Sequence, residues 1–247
     1  MVFSNLMLRH WKEKLVRDGH VVIPGLYTQA ECRRYARRIE TFLTRCHGPR
    51  FQEMDERVNP SGIWDGVQNL RALQDIRSHP FIETAFRRIC GLKGKLYPSL
   101  DRLSLRVPGK VYKEWWHWDR DPTLPGDAYQ GFVALRDDTT LGIVRQSHVR
   151  YRHILERLEH PASLHLEPTE VDRLLPRLGI DQVSAPAGSL VIWNSRCLHS
   201  PLAQTPTKRL IVYVKYGPDK PVSHNNRDWS GFDYGPCLRR LDKPHKK

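Results

Sequence analysis

Two imidazoles, a carboxylate and a guanidinium set out the chemistry open to this sequence. In the segment EWWHWDRD, residues 114–121, His117 and Asp119 stand two apart among three tryptophans. Along an extended strand, that spacing sends both side chains to one face. Trp116 and Trp118 then point the other way, into packing, and Trp115 shares the ligand face as pocket wall. A third ligand follows far along the chain: GSLVIWNSRCLHS, residues 188–200, combines a glycine turn, an apolar strand and His199. Two histidines and one carboxylate make the facial triad of non-haem Fe(II) oxygenases, which leaves three positions of an octahedron open. A bidentate co-substrate takes two of them and O2 the third. Arg209 opens the strongly strand-like RLIVYVKY ten residues after His199. Its planar fork suits a bidentate carboxylate contact, as the distal carboxylate of 2-oxoglutarate would require. If Arg209 faces inward, Ile211 and Tyr213 share its pocket wall. The same ligands also suit zinc, so a zinc hydrolase is an alternative that an oxygen requirement would exclude.

The elements that must position these residues change character along the chain. Residues 4–18 read as a helix with Leu6, Leu8, Trp11 and Leu15 mostly on one side. DGHVVIPG, residues 18–25, reads as a turn, a short strand and a stop. Thr28 and Glu31 have capping-box spacing ahead of a helix whose apolar stripe is Ala30, Tyr35, Ile39, Phe42 and Leu43. Its other face carries Arg33, Arg34, Arg37 and Arg38, either as solvated surface or as a groove for phosphates. Residues 48–69 read as loop, and the part carrying Trp64 as a lid beside a site. A short helix is expected over 79–92.

Period-two alternation takes over in RLSLRV, residues 102–107, with Leu103, Leu105 and Val107 on one face and Arg102, Ser104 and Arg106 on the other. Further strands are expected at 115–119, 130–136, 141–145, 182–184, 189–193 and 209–216. Residues 147–160 hold at least one helical turn, 161–179 form a Pro- and Leu-containing excursion, and RRLDKPHKK closes the chain as a basic, mobile tail. Short strands between Pro and Gly turns favour a barrel or double sheet over alternating α/β units.

Composition bounds the partners more than the fold. The 247 residues fit one large domain. Lys and Arg number 40 against 27 Asp and Glu, for a net charge of +13. Such a field attracts anionic small molecules, nucleic acid or acidic protein surfaces, and also occurs as plain solubilising surface. No zinc finger, helix-turn-helix or RNP-like motif accompanies it. No run of about 18 apolar residues exists to span a membrane, and the N-terminus turns polar too soon for a secretory signal. Five scattered cysteines with no CxxC pair point to a reducing compartment, cytoplasmic or nuclear. Cys197 has no partner base and reads as buried filler, and His148 as a residue that orders its loop.

With these residues in place, the sequence resembles the phytanoyl-CoA dioxygenase-like family of Fe(II)- and 2-oxoglutarate-dependent oxygenases. The resemblance covers roughly residues 15–216 and rests on DGHVVIPG at 18–25, HWD at 117–119, GFVALRDDTTLGIVRQSHVR at 131–150 and APAGSLVIWNSRCLHSPLAQTPTKRLIVYVKY at 185–216. It implies iron ligands at His117, Asp119 and His199, and the 2-oxoglutarate arginine at Arg209. It also implies a polar or basic residue on the strand before HxD, for which Arg106 in LSLRVPG is the nearest match. The implied fold is mainly β with flanking helices around a double-stranded β-helix, the jelly-roll or cupin-like core. That gives one oxygenase domain over 1–247: a helical part to about 95, the β core over about 96–217, and a basic extension over 218–247. Two departures stand out, HWD where the family often has HQD, and RQSH at 145–148 where it often has PGSH. Both leave the ligand positions intact.

The implied activity is hydroxylation of a C–H bond, with Fe(II), 2-oxoglutarate and O2 as cofactors and co-substrates. The substrate stays unassigned, since the family acts on small lipids, secondary metabolites and other molecules. An anionic small molecule is one option and a base in nucleic acid another, the latter needing extrusion from a duplex. A non-catalytic basic binding protein on the same barrel is the rival from a different class.

Overall fold

The computed structural model describes residues 3–54, 60–99, 101–158, 164–218, 226–228 and 230–242. Helix α1 (Asn5–Asp18) starts at Ser4, whose hydroxyl accepts the Met7 N–H, and ends at Gly19 with φ 78°. A side chain at Gly19 would sit 2.5 Å from His148 Nδ1 and 2.6 Å from Cys197 Sγ, so both the handedness of the turn and the space demand glycine. Leu8, Trp11 and Leu15 are buried as the pattern requires, but Leu6 is exposed. It lies two residues before Leu8, and at 3.6 residues per turn that is the far side of the helix. Strand β1 (His20–Ile23) follows, then α2 (Gln29–His47), which begins with the expected reciprocal Thr28–Glu31 capping box.

Beyond α2 the sequence reading needs correction. Within 48–69, β2 (Ile63–Trp64) joins the edge of a sheet, and Trp64 is buried in the core rather than placed on a lid. Helix α3 (Arg71–Arg77) precedes α4 (Pro80–Arg88). The short strands β3 (Tyr97–Pro98) and β4 (Leu103–Arg106) lead to the HWD segment. There the expected strand 115–119 is reduced to single bridges from His117 to His165 and His199. The alternation survives all the same. Trp118 donates its N–H to the Leu164 carbonyl, and Trp116 accepts from Leu166, so the backbone stays extended between two neighbours.

Strands β5 (Tyr129–Ala134) and β6 (Asp138–Val144) come next, then α5 (Ser147–Leu155). Gln146, at the entry to α5, has φ 55° and is the only non-glycine residue with positive φ among the described residues. This is the RQSH departure made physical: glutamine holds a left-handed conformation that glycine adopts freely. The excursion at 161–179 contains a helix, α6 (Pro168–Leu178), whose Leu174, Leu175 and Leu178 cover Trp116 and Trp118. Strands β7 (Ile180–Ala185), β8 (Leu190–Asn194), β9 (His199–Pro201), β10 (Arg209–Val214) and β11 (Tyr216–Gly217) complete the sheets. The described part of the tail is packed rather than mobile: α7 (Gly235–Leu241) buries Cys237, and the Asp242 carboxylate accepts the Arg71 N–H. Residues 243–247 of that tail, and 55–59 of the expected loop, lie outside the described residues.

The strands form a six-stranded antiparallel sheet, β1-β8-β5-β10-β4-β2, and a three-stranded sheet, β7-β6-β9, with a small β11-β3 pair beside them. Antiparallel partners that face each other share a side of the sheet. The register Gln130↔Trp193, Phe132↔Val191, Tyr213↔Phe132, Ile211↔Ala134 and Arg209↔Arg106 therefore places all of these on one face. Phe132, Ala134, Val191, Trp193 and Ile211 from that face pack on Leu141, Ile143, Val183 and Ala185 of the smaller sheet. Two sheets closed over one interior are the core of a double-stranded β-helix. The outer face of the larger sheet, with Leu103, Leu105, Leu210 and Val212, packs in one cluster with residues of α1 to α4. All five cysteines are free, and among the described residues no helix is long and apolar enough to cross a membrane.

Candidate metal centre

His199 is the first residue of β9, and β9 pairs with β6 at the rim of the smaller sheet. The HWD segment lies against it through a reciprocal pair of backbone hydrogen bonds, His117 N–H to His199 O at 2.9 Å and His199 N–H to His117 O at 3.0 Å. That pairing brings residues 82 positions apart into contact. His117, Asp119 and His199 each offer a ligand atom, and these atoms lie within 4.8 Å of one another. The Nε2 atoms of both imidazoles are 3.7 Å from Asp119 oxygens, His117 facing Oδ1 and His199 facing Oδ2.

The hydrogen bonds decide which nitrogen is free. His117 Nδ1 lies 2.7 Å from the Trp115 carbonyl, and His199 Nδ1 lies 3.0 Å from the Cys197 carbonyl. A carbonyl only accepts, so in the neutral imidazole each Nδ1 carries the proton and each Nε2 presents a lone pair. This is how metal-ligating histidines are oriented from behind. Burial pushes the His199 pKa down, and although Asp119 opposes this, it falls to about 4. Burial alone would raise Asp119. The His199 and His117 imidazoles and the Trp193 N–H outweigh it and hold the carboxyl at about 2. Trp193 Nε1 donates to Asp119 Oδ2 at 2.7 Å. At neutral pH His199 is thus a neutral imidazole beside an ionised Asp119, the protonation a divalent cation needs of these two ligands.

Arg209 and Tyr213 line the same cleft as the triad. Arg209 is buried, and its one hydrogen bond among the described residues is a 3.3 Å contact from Nη1 to Ser104 Oγ. Its Nε sits 3.3 Å from Asp138 Oδ1 without hydrogen-bond alignment. Asp138 in turn accepts the Thr140 N–H and hydroxyl at 3.1 and 2.8 Å. The guanidinium is therefore positioned without being consumed by protein acceptors. Burial raises the Tyr213 pKa, against the opposing pull of Arg209 and Arg106, so the phenol keeps its proton.

Arg106 is directly across from Arg209 but is not among the residues lining the cleft. Its Nε donates to the Ser61 carbonyl at 2.9 Å and its Nη1 to the Leu202 carbonyl at 2.5 Å, and it lies over the Tyr112 ring. Burial, with the neighbouring Arg209 charge, pushes its pKa down to about 10.

Trp115 lines the cleft as expected, while other members of the site carried little or no sequence signal. Trp115 stacks between His117 and His165, with centroids 4.4 and 4.5 Å away. His165 lies in the excursion, where no pattern announced it. Trp193 and Gln130 share the inward face by period two with residues that were recognised, so that signal was present in LVIWN. Arg102, on the polar side of RLSLRV, lines the cleft beside Asp101. His148 is as expected a tether: its Nε2 lies 3.0 Å from the Val16 carbonyl and joins α5 to α1. Cys197 is fully buried and burial pushes its thiol up, as filler should be.

No protein-family model matches the sequence, and no curated protein does. Solved structures do match. The epimerase SnoN in complex with Fe3+, alpha ketoglutarate and nogalamycin RO is similar at 19% identity and a TM-score of 0.61, over 86% of this chain and 84% of that one. AviO1 from Streptomyces viridochromogenes Tue57 is similar at 17% identity and 0.63, over 90% and 100%. HygX from Streptomyces hygroscopicus, with nickel and 2-oxoglutarate bound, is similar at 16% and 0.60, over 88% of each chain. The likeness defines the fold class: a mainly β, double-stranded β-helix with flanking helices, shared with non-haem, 2-oxoglutarate-binding proteins. The donor set of this chain fits a ferrous ion, for two imidazole nitrogens and one carboxylate on one side of a cleft leave the other side open.

Proposed function

We propose that this protein is an Fe(II)- and 2-oxoglutarate-dependent dioxygenase that hydroxylates a C–H bond of a small organic substrate. The observation that carries this reading is the convergence of His117, Asp119 and His199, with both Nδ1 atoms tied to backbone carbonyls, in a cleft that also contains Arg209. His117, Asp119 and His199 would hold the metal, and Arg209 the far carboxylate of 2-oxoglutarate, as a fork holds a bidentate partner. Tyr213 adds an O–H donor to the same wall. Arg106 contributes to the cosubstrate through its charge behind Arg209, since two of its donors already serve carbonyls.

When bound, iron and keto acid supply the oxidising power, and the protein supplies position, charge and dryness. The overall change is substrate C–H, O2 and 2-oxoglutarate to substrate C–OH, succinate and CO2. The Trp115 and Cys197 carbonyls hold the imidazole tautomers, and Trp193 fixes the carboxylate. Trp115, Phe132 and Leu141 line the cleft with apolar surface that excludes water. The HxD spacing at 117–119, His199 after AGSLVIWNSR and Arg209 ten residues later support placement in the phytanoyl-CoA dioxygenase-like family, with the whole chain acting as one domain. Since SnoN is an epimerase, the fate of the attacked carbon is the part to test first.

Purified protein loaded anaerobically with Fe(II) should develop a visible charge-transfer band on addition of 2-oxoglutarate. On admission of O2 it should release succinate, slowly without prime substrate. Incubation with a cell extract and mass spectrometry should show one added oxygen on some metabolite, absent with His117→Ala. Absence of the band and of succinate release would leave a binding protein on this fold. Turnover without O2 would point to zinc hydrolysis.

A further inference from the structure

A second, polar hollow adjoins the metal cleft, and the two share Asp101, Arg102 and Gln130. Every described residue lining this vestibule is polar; the others are Asp65, Gln68, Ser99 and Lys215. Two carboxylates face two cations, so the wall is neutral in sum although the chain carries +13. The excess positive charge is elsewhere: the groove lined by Arg34, Arg37, Arg38 and Arg45 of α2 shares no residue with the cleft.

Two atoms of the vestibule residues are orphaned. Gln68 is 3% exposed, and its Oε1 has no hydrogen-bond partner; nor has the buried Ser99 Oγ. Gln68 Nε2 faces Asp65 Oδ1, an acceptor, which leaves Oε1 as the amide atom without a partner. Asp65 Oδ1 also accepts the Gly66 N–H, and Asp101 Oδ1 accepts the Arg102 N–H, with Arg102 Nε 3.7 Å away. A buried acceptor without a donor costs about 1–3 kcal/mol, and a bound molecule that brings donors removes that cost.

We propose that the substrate of the oxygenase site is a neutral, hydroxyl-rich molecule of the glycoside or cyclitol type, whose hydroxyl groups occupy this vestibule while the carbon to be oxidised reaches the triad. The inference rests on the reading of the site as a 2-oxoglutarate oxygenase. A hydroxyl both donates and accepts, so one kind of group satisfies the orphaned Gln68 oxygen, the two carboxylates, and the Arg102 and Lys215 cations. An acyl chain would strand these polar groups without partners. A polyanion would meet Asp65 and Asp101 as well as the cations.

The test uses full-length protein loaded with Ni(II) and 2-oxoglutarate, so that ligands bind without turnover. Thermal shift and calorimetry are run against a library of neutral glycosides and cyclitols, against octanoyl- and palmitoyl-CoA, and against a single-stranded oligonucleotide. Affinity for 2-oxoglutarate is measured first and separately; its absence would sink the oxygenase reading itself. With 2-oxoglutarate bound, hydroxyl-rich compounds should supply the binders. Their Kd should weaken about tenfold in Asp101→Asn and in Lys215→Ala, the latter altering an exposed side chain that folding does not need. The same compounds should accelerate succinate release by the iron enzyme. The proposal is overturned if no hydroxyl-rich compound binds, if the acyl-CoA or the oligonucleotide binds more tightly, or if both variants leave the Kd unchanged.

Discussion

The two arginine-rich regions of this molecule differ in everything except residue type. On α2, Arg33, Arg34 and Arg37 are exposed, and among the described residues only Arg38 of that stripe forms an ion pair, with Asp75. Inside the barrel, Arg106 and Arg209 are buried side by side, each held by named partners: Ser61 and Leu202 carbonyls for one, Ser104 and Asp138 for the other. Water screens the first group, and an exposed charge contributes little to stability. The second group is out of water, where a charge persists only with compensation. Net charge therefore says little about this protein's chemistry, whereas the location of the buried Arg106 and Arg209 guanidiniums says much.

The sharpest way to break that contrast is Arg209→Ala. It leaves the Asp138 carboxylate buried without its cation, which costs about 3–5 kcal/mol of stability. It should also raise the apparent Kd for 2-oxoglutarate by two orders of magnitude or more, read by calorimetry, with Arg209→Lys recovering the fold and only part of the affinity. Trp193→Phe should come next. It removes the N–H that fixes Asp119, and losing such an outer partner typically costs 10–100-fold in metal affinity; metal titration followed by unfolding would report it.

The outer layer should respond weakly. Gln146→Gly relieves a left-handed residue, a gain of about 1–2 kcal/mol, against about 0.5–1 kcal/mol for the added chain entropy. A net stabilisation of about 0.5–1 kcal/mol is expected in urea unfolding. Arg37→Ala is the smallest, within about 0.5 kcal/mol of wild type and with no change in 2-oxoglutarate affinity. A large effect there would overturn the view of α2 as solvated surface.

How legible all this was in the sequence varied with the range of the interactions. The capping box at Thr28–Glu31, the β10 strand and the alternation of RLSLRV are local patterns, and each appears where expected. The HWD segment kept its alternation but not its strand, because only His117 finds ladder partners. Trp64 read as lid because its neighbours are turn formers; pairing with Leu103 buries it instead. The α6 helix was obscured by Pro168 and Pro176, one at a position that favours a helix start and one that opposes its interior.

Among the site residues, His117 and Asp119 announced themselves by spacing, His199 by the glycine turn and apolar strand it follows, and Arg209 by the strand it opens. Asp138, His165 and Gln68 carried no signal, for each matters only through a neighbour far away in the chain. Residue types and local periodicity thus determined what chemistry was available and which face of each strand would carry it, because side-chain direction follows from backbone period alone. Closure of two sheets over one interior decided the rest: which nitrogen of each imidazole is free, which arginines are dry, and that the cavity beside the metal is neutral and polar in a chain of net positive charge. Those properties depend on distances and burial between residues remote in sequence, and only tertiary packing sets them.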